Sequence, residues 1–433
     1  MKSFFKGLFR QKNMKYFVGA GILLILGAVY LWYAHNYGNK EQVSLEAQSR
    51  VDYDEQNSAS KYNLTADYIW SRTKSVMLVS DKLIPEYYMI QGQLTEEKPE
   101  FASRYSLTDQ ALLLSVYVRQ NDRLSAMSLV DEVYDRFATS QGSLLASEAD
   151  ADKQNVSVHD NIVWLESFLE YYSVFGSTSD YERIKNASKS LFDEEGNIVE
   201  SEISFATLQS IYVENGDGTT ALVEEERTES DVNLPNNNTV KADKIDGVEM
   251  RSVNLRLIRN LENNKFIPAG SYDKALKIVK ESFISEDVPF YAYAYQINED
   301  GTIHYIFEGN ESGAVDISAS IETALNMADV GELSPAVFAY LKSAVVNQKN
   351  LGNLYYIATK QASGSVNLFS YIQCLNIAID CDDTSMYETL CEIIGGKVAT
   401  YNNSPILSMI YRNDEYRFTA YAQDNLLIYL LLT

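Results

Sequence analysis

Between Val158 and Phe192, apolar residues fall at three- and four-residue steps with one interruption. Ile162, Leu165, Leu169 and Tyr172 make one stripe, widened by Trp164 and Phe168. Tyr181, Ile184, Ala187 and Leu191 make a second. Gly176-Ser177-Thr178 breaks the run, and Ser179-Asp180 can cap the helix that follows. A connection this short folds the two helices antiparallel. The first is apolar nearly all round, which predicts a helix buried on both sides. The second has a charged back, which predicts an outer helix.

The unit recurs. Tyr105–Gln120 is strongly apolar and Leu124–Phe137 runs back; Val248–Leu261 pairs with Tyr272–Phe283, Val315–Asp329 with Pro335–Asn347, and Gly364–Ile379 with Thr384–Gly395. Breaks fall near residues 121, 177, 266, 332 and 382, and Thr65–Ser80 with Tyr416–Leu431 can supply a sixth pair. Units of about 50 residues that cannot bury themselves alone imply a stacked array. An open solenoid is one outcome and a closed ring the other. Apolar inner helices and an apolar closing helix favour the ring, so the expected fold is mainly α, an (α/α)6 toroid of inner–outer hairpins. Ser204–Tyr212 reads as a further inner helix and Glu214–Asp246 as an acidic loop or insertion. Pro289–Tyr295 and Thr302–Phe307 alternate around Asn298-Glu299-Asp300-Gly301, which predicts a small β-hairpin, and Leu354–Ala358 can add a strand.

Residues 16–34 break this pattern: they are uncharged, mostly apolar and long enough to cross a bilayer. Tyr30, Trp32 and Tyr33 stand where an aromatic belt would lie, and Lys2, Lys6, Arg10, Lys12 and Lys15 all precede the span. That bias predicts a cytoplasmic basic tail (1–15), a transmembrane helix (16–34), a polar stalk (35–62) and an extracytoplasmic domain (63–433). A cleaved signal peptide is the rival, but no small-x-small site follows the run.

The formal net charge is −24, and residues 1–35 contribute +5 of it, so the remainder carries −29. A body that acidic excludes nucleic acid and anionic lipid as partners. There are 31 tyrosines, which suit a groove that is both apolar and hydrogen-bonding, or reflect composition alone. Cys374, Cys381 and Cys391 show no metal-ligand spacing, and with three histidines in all no metal site or cofactor is expected. One cysteine pair could form a disulfide, or all could be buried thiols. No G-x-S-x-G, P-loop or G-x-G-x-x-G occurs.

In a ring of hairpins all inner helices start at one end. Asp109, Asp160, Asp246 or Glu249, and Asp316 would therefore meet at one rim. Repulsion and burial there would raise one carboxyl's pKa while another stayed ionised. An aspartate at a helix start is also a favoured cap, worth about 1 kcal/mol with no chemistry at all, and Glu249 reads as well as a helix-end or solvated-face residue.

Three stretches carry a family resemblance: HDNIVWLESFLEYYSVFGSTSDYERIKNASKSLF, VDISASIETALNMADVGELSPAVFAYLKSAVVNQ and GSVNLFSYIQCLNIAIDCDDTSMYETLCEII. They resemble family-8-type glycoside hydrolases, most closely the Gram-positive membrane-attached branch found beside exopolysaccharide synthases, over residues 64–400 or so. The resemblance implies inverting hydrolysis of a β-linked glycan by a glutamic acid and an aspartate base. The acid's S-E-x-x-G motif is matched by Thr108 to Leu112, with Asp109 at the acid position and Leu112 in place of the glycine. An aspartate is a methylene shorter, and a misplacement near 1 Å can cost roughly 10²-fold in rate. Asp160 matches the residue that binds the central sugar. For the base, Asp246 and Glu249 are candidates, while alignment on Leu255–Leu257 puts Arg251 there. Tyr105, Trp164, Trp70 and Tyr291 would be stacking platforms for sugar rings, with core packing the alternative for Trp164. The implied function is a membrane-anchored hydrolase of a surface exopolysaccharide. The departures imply a second reading: a degenerate ring that binds polysaccharide or scaffolds an exopolysaccharide synthase complex. A protein-binding solenoid is the third.

Overall fold

The computed structural model describes residues 25–28, 41–46, 59–78, 82–91, 99–102, 104–139, 143–147, 156–208, 212–214, 220–222, 232–233, 239–307, 313–413 and 417–433. Twelve α-helices follow one another among the described residues after position 60: α1 (Ala66–Met77), α2 (Leu107–Arg119), α3 (Arg123–Phe137), α4 (Val158–Phe175), α5 (Thr178–Leu191), α6 (Leu255–Asn263), α7 (Ser271–Glu281), α8 (Ile317–Ala328), α9 (Pro335–Ser343), α10 (Leu368–Asp380), α11 (Thr384–Gly395) and α12 (Ala422–Leu431). The even-numbered helices form the inner ring, where α4 packs on α2, α2 on α12, α12 on α10, α10 on α8 and α8 on α6. The odd-numbered helices lie outside, and α1 covers α12 to complete the sixth pair. The ring is closed.

Local chemistry explains the alternation. Helix α4 buries residues on all sides, from Ile162 and Trp164 through Phe168, Leu169 and Tyr172, whereas α5 buries one stripe of Asp180, Ile184, Ser188 and Leu191. Each of α2, α4, α6, α8 and α10 starts on a side chain that accepts a first-turn N–H: Ser106, Ser157, Asn254, Asp316 and Asn367. Helix α12 lacks such a cap, and its first turn is fixed by Arg412, which forks onto the buried Asp424 at 2.6 and 2.7 Å.

The sheets occupy the connections that lead into the inner helices. Strands β1 (Tyr87–Gln91) and β2 (Pro99–Phe101) join two strands near the C-terminus, Arg412–Asn413 and Arg417–Tyr421. Strands β3 (Ser201–Leu208) and β4 (Thr239–Glu249) form a long antiparallel pair, extended by the hairpin β5 (Ala294–Ile297) and β6 (Ile303–Ile306). The expected hairpin is present in part: its first arm is Ala294–Ile297, with Ile297 opposite Ile303, whereas Val288–Tyr291 pairs with Phe283–Ser285; Leu354–Tyr356 is the expected further strand.

Three expectations need correction. Ser204–Tyr212 is no helix: β3 ends at Leu208, and the apolar spacing of Ile203 and Phe205 is the two-residue step of a strand. Thr239–Asp246, read as loop, is the partner strand, so the helix expected from Val248 begins only at Leu255, after a 3-10 turn at Met250–Ser252. The stalk is not free throughout. Residues 41–46 lie against α4 and α6, Ala59 is fully buried, and Val43 and Leu45 pack on the core.

Apart from residues 25–28, which are helical, the apolar segment 16–34 lies outside the described residues, and among those no helix is long and apolar enough to cross a membrane. All three cysteines are free thiols, with Cys374 and Cys391 buried and Cys381 half-buried.

Candidate carboxylate site

The starts of α2 and α4 deliver the first two groups. Asp109 stands in the first turn of α2, where Ser106 Oγ accepts its N–H at 3.1 Å and donates to its Oδ2 at 2.6 Å. Oδ1 is buried with no hydrogen-bond partner among the described residues. Burial pushes this carboxyl up to about 8; the Ser106 bond pulls down, and the charges of Glu86, Asp424 and Asp160 push further. Asp109 is a neutral acid at pH 7. Asp160 occupies the same place on α4, its N–H donated to Ser157 Oγ at 3.1 Å. Burial pushes it up to about 6 against the pull of Arg251, and the charge of Glu249 adds to the rise.

The third group comes from the end of β4. Glu249 is forked by Arg251, Nη2 lying 3.0 Å from Oε2 and 3.2 Å from Oε1, and accepts from Tyr293 Oη at 3.2 Å. Arg251 Nη1 also lies 3.8 Å from Glu322 on α8. Burial opposes the charge on this guanidinium, yet Glu322 and Glu249 together hold its pKa above the usual arginine value. His159 Nε2 sits 3.5 Å from Glu322, but burial and the Arg251 charge depress the imidazole to about 3. The ring is neutral at physiological pH, so this contact is not an ion pair.

A cavity of about 440 Å³ runs down the ring axis, lined by residues of all six inner helices. Thr108, Leu112, His159, Arg251 and Glu322 line it; Asp109, Asp160 and Glu249 do not. Leu112 thus fills space that a glycine would leave open beside the candidate acid. Deeper in, Arg256 Nη2 lies 2.7 Å from Glu166, with Glu170 at 3.5 Å from Nη1 and Asp329 at 3.9 Å from Nε. Asn254 Nδ2 donates to Glu166 at 2.7 Å. One guanidinium therefore ties α6 to α4 and α8, and burial of Glu166 raises its pKa against the pull of Arg256.

No family model matches the chain, and no curated protein matches it by sequence. Solved structures do match by fold. A protein described as a novel alpha-amylase from Clostridium perfringens aligns with TM-score 0.60 over 85% of this chain and 96% of its own, at 15% identity. PssZ from Listeria monocytogenes aligns with TM-score 0.53 over 90% and 97%, at 12% identity. The chain shares its fold with these two proteins, here a toroid of six inner–outer helical pairs. Endoglucanase Cel10 of Klebsiella pneumoniae, a family 8 glycosyl hydrolase, also matches, with TM-score 0.46 over 75% and 96% at 9% identity. Identities this low carry the architecture and not the chemistry.

Within the toroid the expected residues separate. Asp160 lies within electrostatic reach of both Asp109 and Glu249. Asp246 does not join them: its side chain is exposed on β4, and its carbonyl accepts from Gln296 Nε2 at 2.6 Å. Asp316 caps α8, accepting from Ala319 N at 3.1 Å. The aromatic platforms need correction, because the ring faces are taken. Trp70 packs among Tyr117 and Tyr429, and Trp164, 2% exposed, stacks on Phe168. Tyr291 is fully buried and Tyr105 lies under the Arg136 guanidinium. Sequence reasoning missed Glu322 and Tyr293. A glutamate amid the small and apolar residues of SASIETALNMA is the one trace that pointed to the former.

Proposed function

We propose that this chain is a membrane-anchored, extracytoplasmic hydrolase of a surface polysaccharide, with Asp109 as general acid, Asp160 holding the central sugar and Glu249 as base. The observation that carries the reading is the contrast at the rim. Asp109 is kept protonated at neutral pH by burial, with one oxygen uncommitted, while Glu249 is engaged by a guanidinium. The two carboxyls thus sit in different environments, one buried with an uncommitted oxygen and the other held by a cation. Inverting hydrolysis would need roughly 6.5–9.5 Å and a water between them. In that reaction Asp109 gives its proton to the leaving oxygen, and Glu249 takes one from the attacking water. No cofactor or metal enters. Residues 16–34 would hold the domain outside the membrane, within reach of an exopolysaccharide synthase complex, and the acidic body makes nucleic acid an unsuitable partner.

Two observations favour the degenerate binding module as the second reading. The Arg251 fork and Tyr293 occupy Glu249, and Asp109, Asp160 and Glu249 are all absent from the cavity lining. Full-length protein in detergent, incubated with a panel of β-glucans and amino-sugar polymers, separates the two. Release of reducing ends, lost in Asp109→Asn, supports the hydrolase. Polymer binding without turnover, unchanged in Asp109→Asn, replaces it with the module.

A further inference from the structure

We infer that the base of the toroid, where the inner helices end, faces the bilayer, so that the carboxylate rim points away from it. This rests on the membrane-anchoring part of the reading above. The strap at residues 41–46 carries the argument. Tyr172 Oη donates to the Glu41 carbonyl at 2.6 Å, and Asn264 exchanges hydrogen bonds with Ser44 at 3.0 and 2.9 Å. Glu46 N donates to Asn260 at 2.9 Å, and the Glu46 carboxylate pairs with Arg259 at 2.9 Å. These partners belong to the last turn of α4, the second half of α6 and its C-cap, the end of the ring opposite Asp109 and Asp160.

Chain length then limits the geometry. From Ala34, the end of the apolar segment, to Glu41 the chain can reach at most about 25 Å fully extended. Helix α4 has 18 residues and stands about 27 Å tall. With the domain turned over, the strap would stand beyond the full stretch of its own tether, with the sheets of the upper rim still to accommodate.

The chemistry of the base agrees. Leu124 and Val174, 81% and 51% exposed, lie there beside Arg119, Arg123 and Lys265. Apolar groups flanked by long basic side chains suit a membrane interface. Two acidic groups on the same face are paired, Glu332 with Lys280 at 2.6 Å and Asp383 with Lys342 at 2.5 Å. Phe101, Phe307 and Tyr401, the exposed aromatics of the opposite rim, are left to meet polymer that has already cleared the bilayer surface.

The test uses the full chain carrying Cys381→Ser, which removes the one partly exposed thiol. Single cysteines at Leu124→Cys, Val174→Cys and Phe307→Cys receive a fluorophore, and each protein is reconstituted in phosphatidylcholine vesicles containing a headgroup-level spin quencher. The labels at 124 and 174 should be quenched several-fold more than the label at 307. Adding Arg259→Ala and Asn264→Ala should shrink that difference. Equal quenching at all three sites, or stronger quenching at 307, overturns the orientation while leaving the anchor standing. Failure of the chain to partition into vesicles overturns the anchor and the orientation with it. A difference that survives loss of the strap contacts overturns the strap as its cause.

Discussion

The two ends of this ring are built by different rules. At the base, Gly176–Ser177 alone joins α4 to α5, and residues 120–122 join α2 to α3. At the opposite rim the joins run through residues 192–254 or 396–421 and contain the sheets. Short joins fix the angle of each hairpin, and long ones are free to vary around a fixed frame. The same rim collects the N-termini of the inner helices, whose positive dipole ends favour carboxylates. Asp109 and Asp160 thus have a structural reason to stand where they do, and burial raises the pKa of both. The fixed turns lie at one end and the buried carboxyls at the other.

The largest effect that could break this division is on turnover. Asp109→Asn should lower reducing-end release by 10²-fold or more, in the range expected for loss of a general acid, whereas a base substitution such as Gly176→Ala should leave turnover per folded molecule unchanged. Next is the guanidinium that spans three inner helices. Arg256→Met strands Glu166, Glu170 and Asp329 without their counter-charge and should cost about 3–5 kcal/mol in urea unfolding.

Asp109 also makes a pH prediction. Its folded pKa of about 8 exceeds that of an unfolded aspartate, so the folded state binds the extra proton between roughly pH 4 and 8. Stability is therefore lost as pH rises through that window. Asp109→Asn, with nothing to ionise, should escape this part of the decline, and the two denaturation midpoints should separate progressively from pH 5 to pH 9. Parallel midpoints would mean the carboxyl is not held neutral.

At the base, a Cβ added at Gly176 would meet the Tyr172 ring and lie 2.7 Å from its Cα. Gly176→Ala should cost roughly 1–3 kcal/mol by thermal or urea unfolding. The smallest effect belongs to the rim surface: Lys360→Ala removes an exposed pair with Asp287 at 2.8 Å and should cost less than about 0.5 kcal/mol.

The ring was legible because its signals are local. The 3.6-residue stripes and the breaks near 121, 177, 266, 332 and 382 mark the base turns, where Asn, Gly, Asp and Ser end one helix and cap the next. What failed to read out depends on neighbours distant in sequence. Val43 and Leu45 look like scattered apolar residues in a polar stretch until α4 and α6 are beside them. Trp164 has the composition of a sugar platform, and only the stacked Phe168 and the adjacent Tyr134 show it to be core. The rim carboxylates were visible as helix starts. Their separation into Glu249 within and Asp246 without depends on Arg251 and Tyr293, which no spacing rule connects.

Closing the ring with α12 against α2, and covering α12 with α1, has a consequence for synthesis. The apolar face of α1 emerges from the ribosome more than three hundred residues before the helix that buries it. At about 5–20 residues per second, that face waits for somewhere between twenty seconds and a minute. During that interval the earlier hairpins can stack, but the circle has an open seam and an uncovered inner helix on each side of it. A nascent chain threaded outward across a membrane would be most exposed to aggregation and proteolysis in this window. Loss of the final helix, Ala422–Leu431, would leave the molecule in that state permanently.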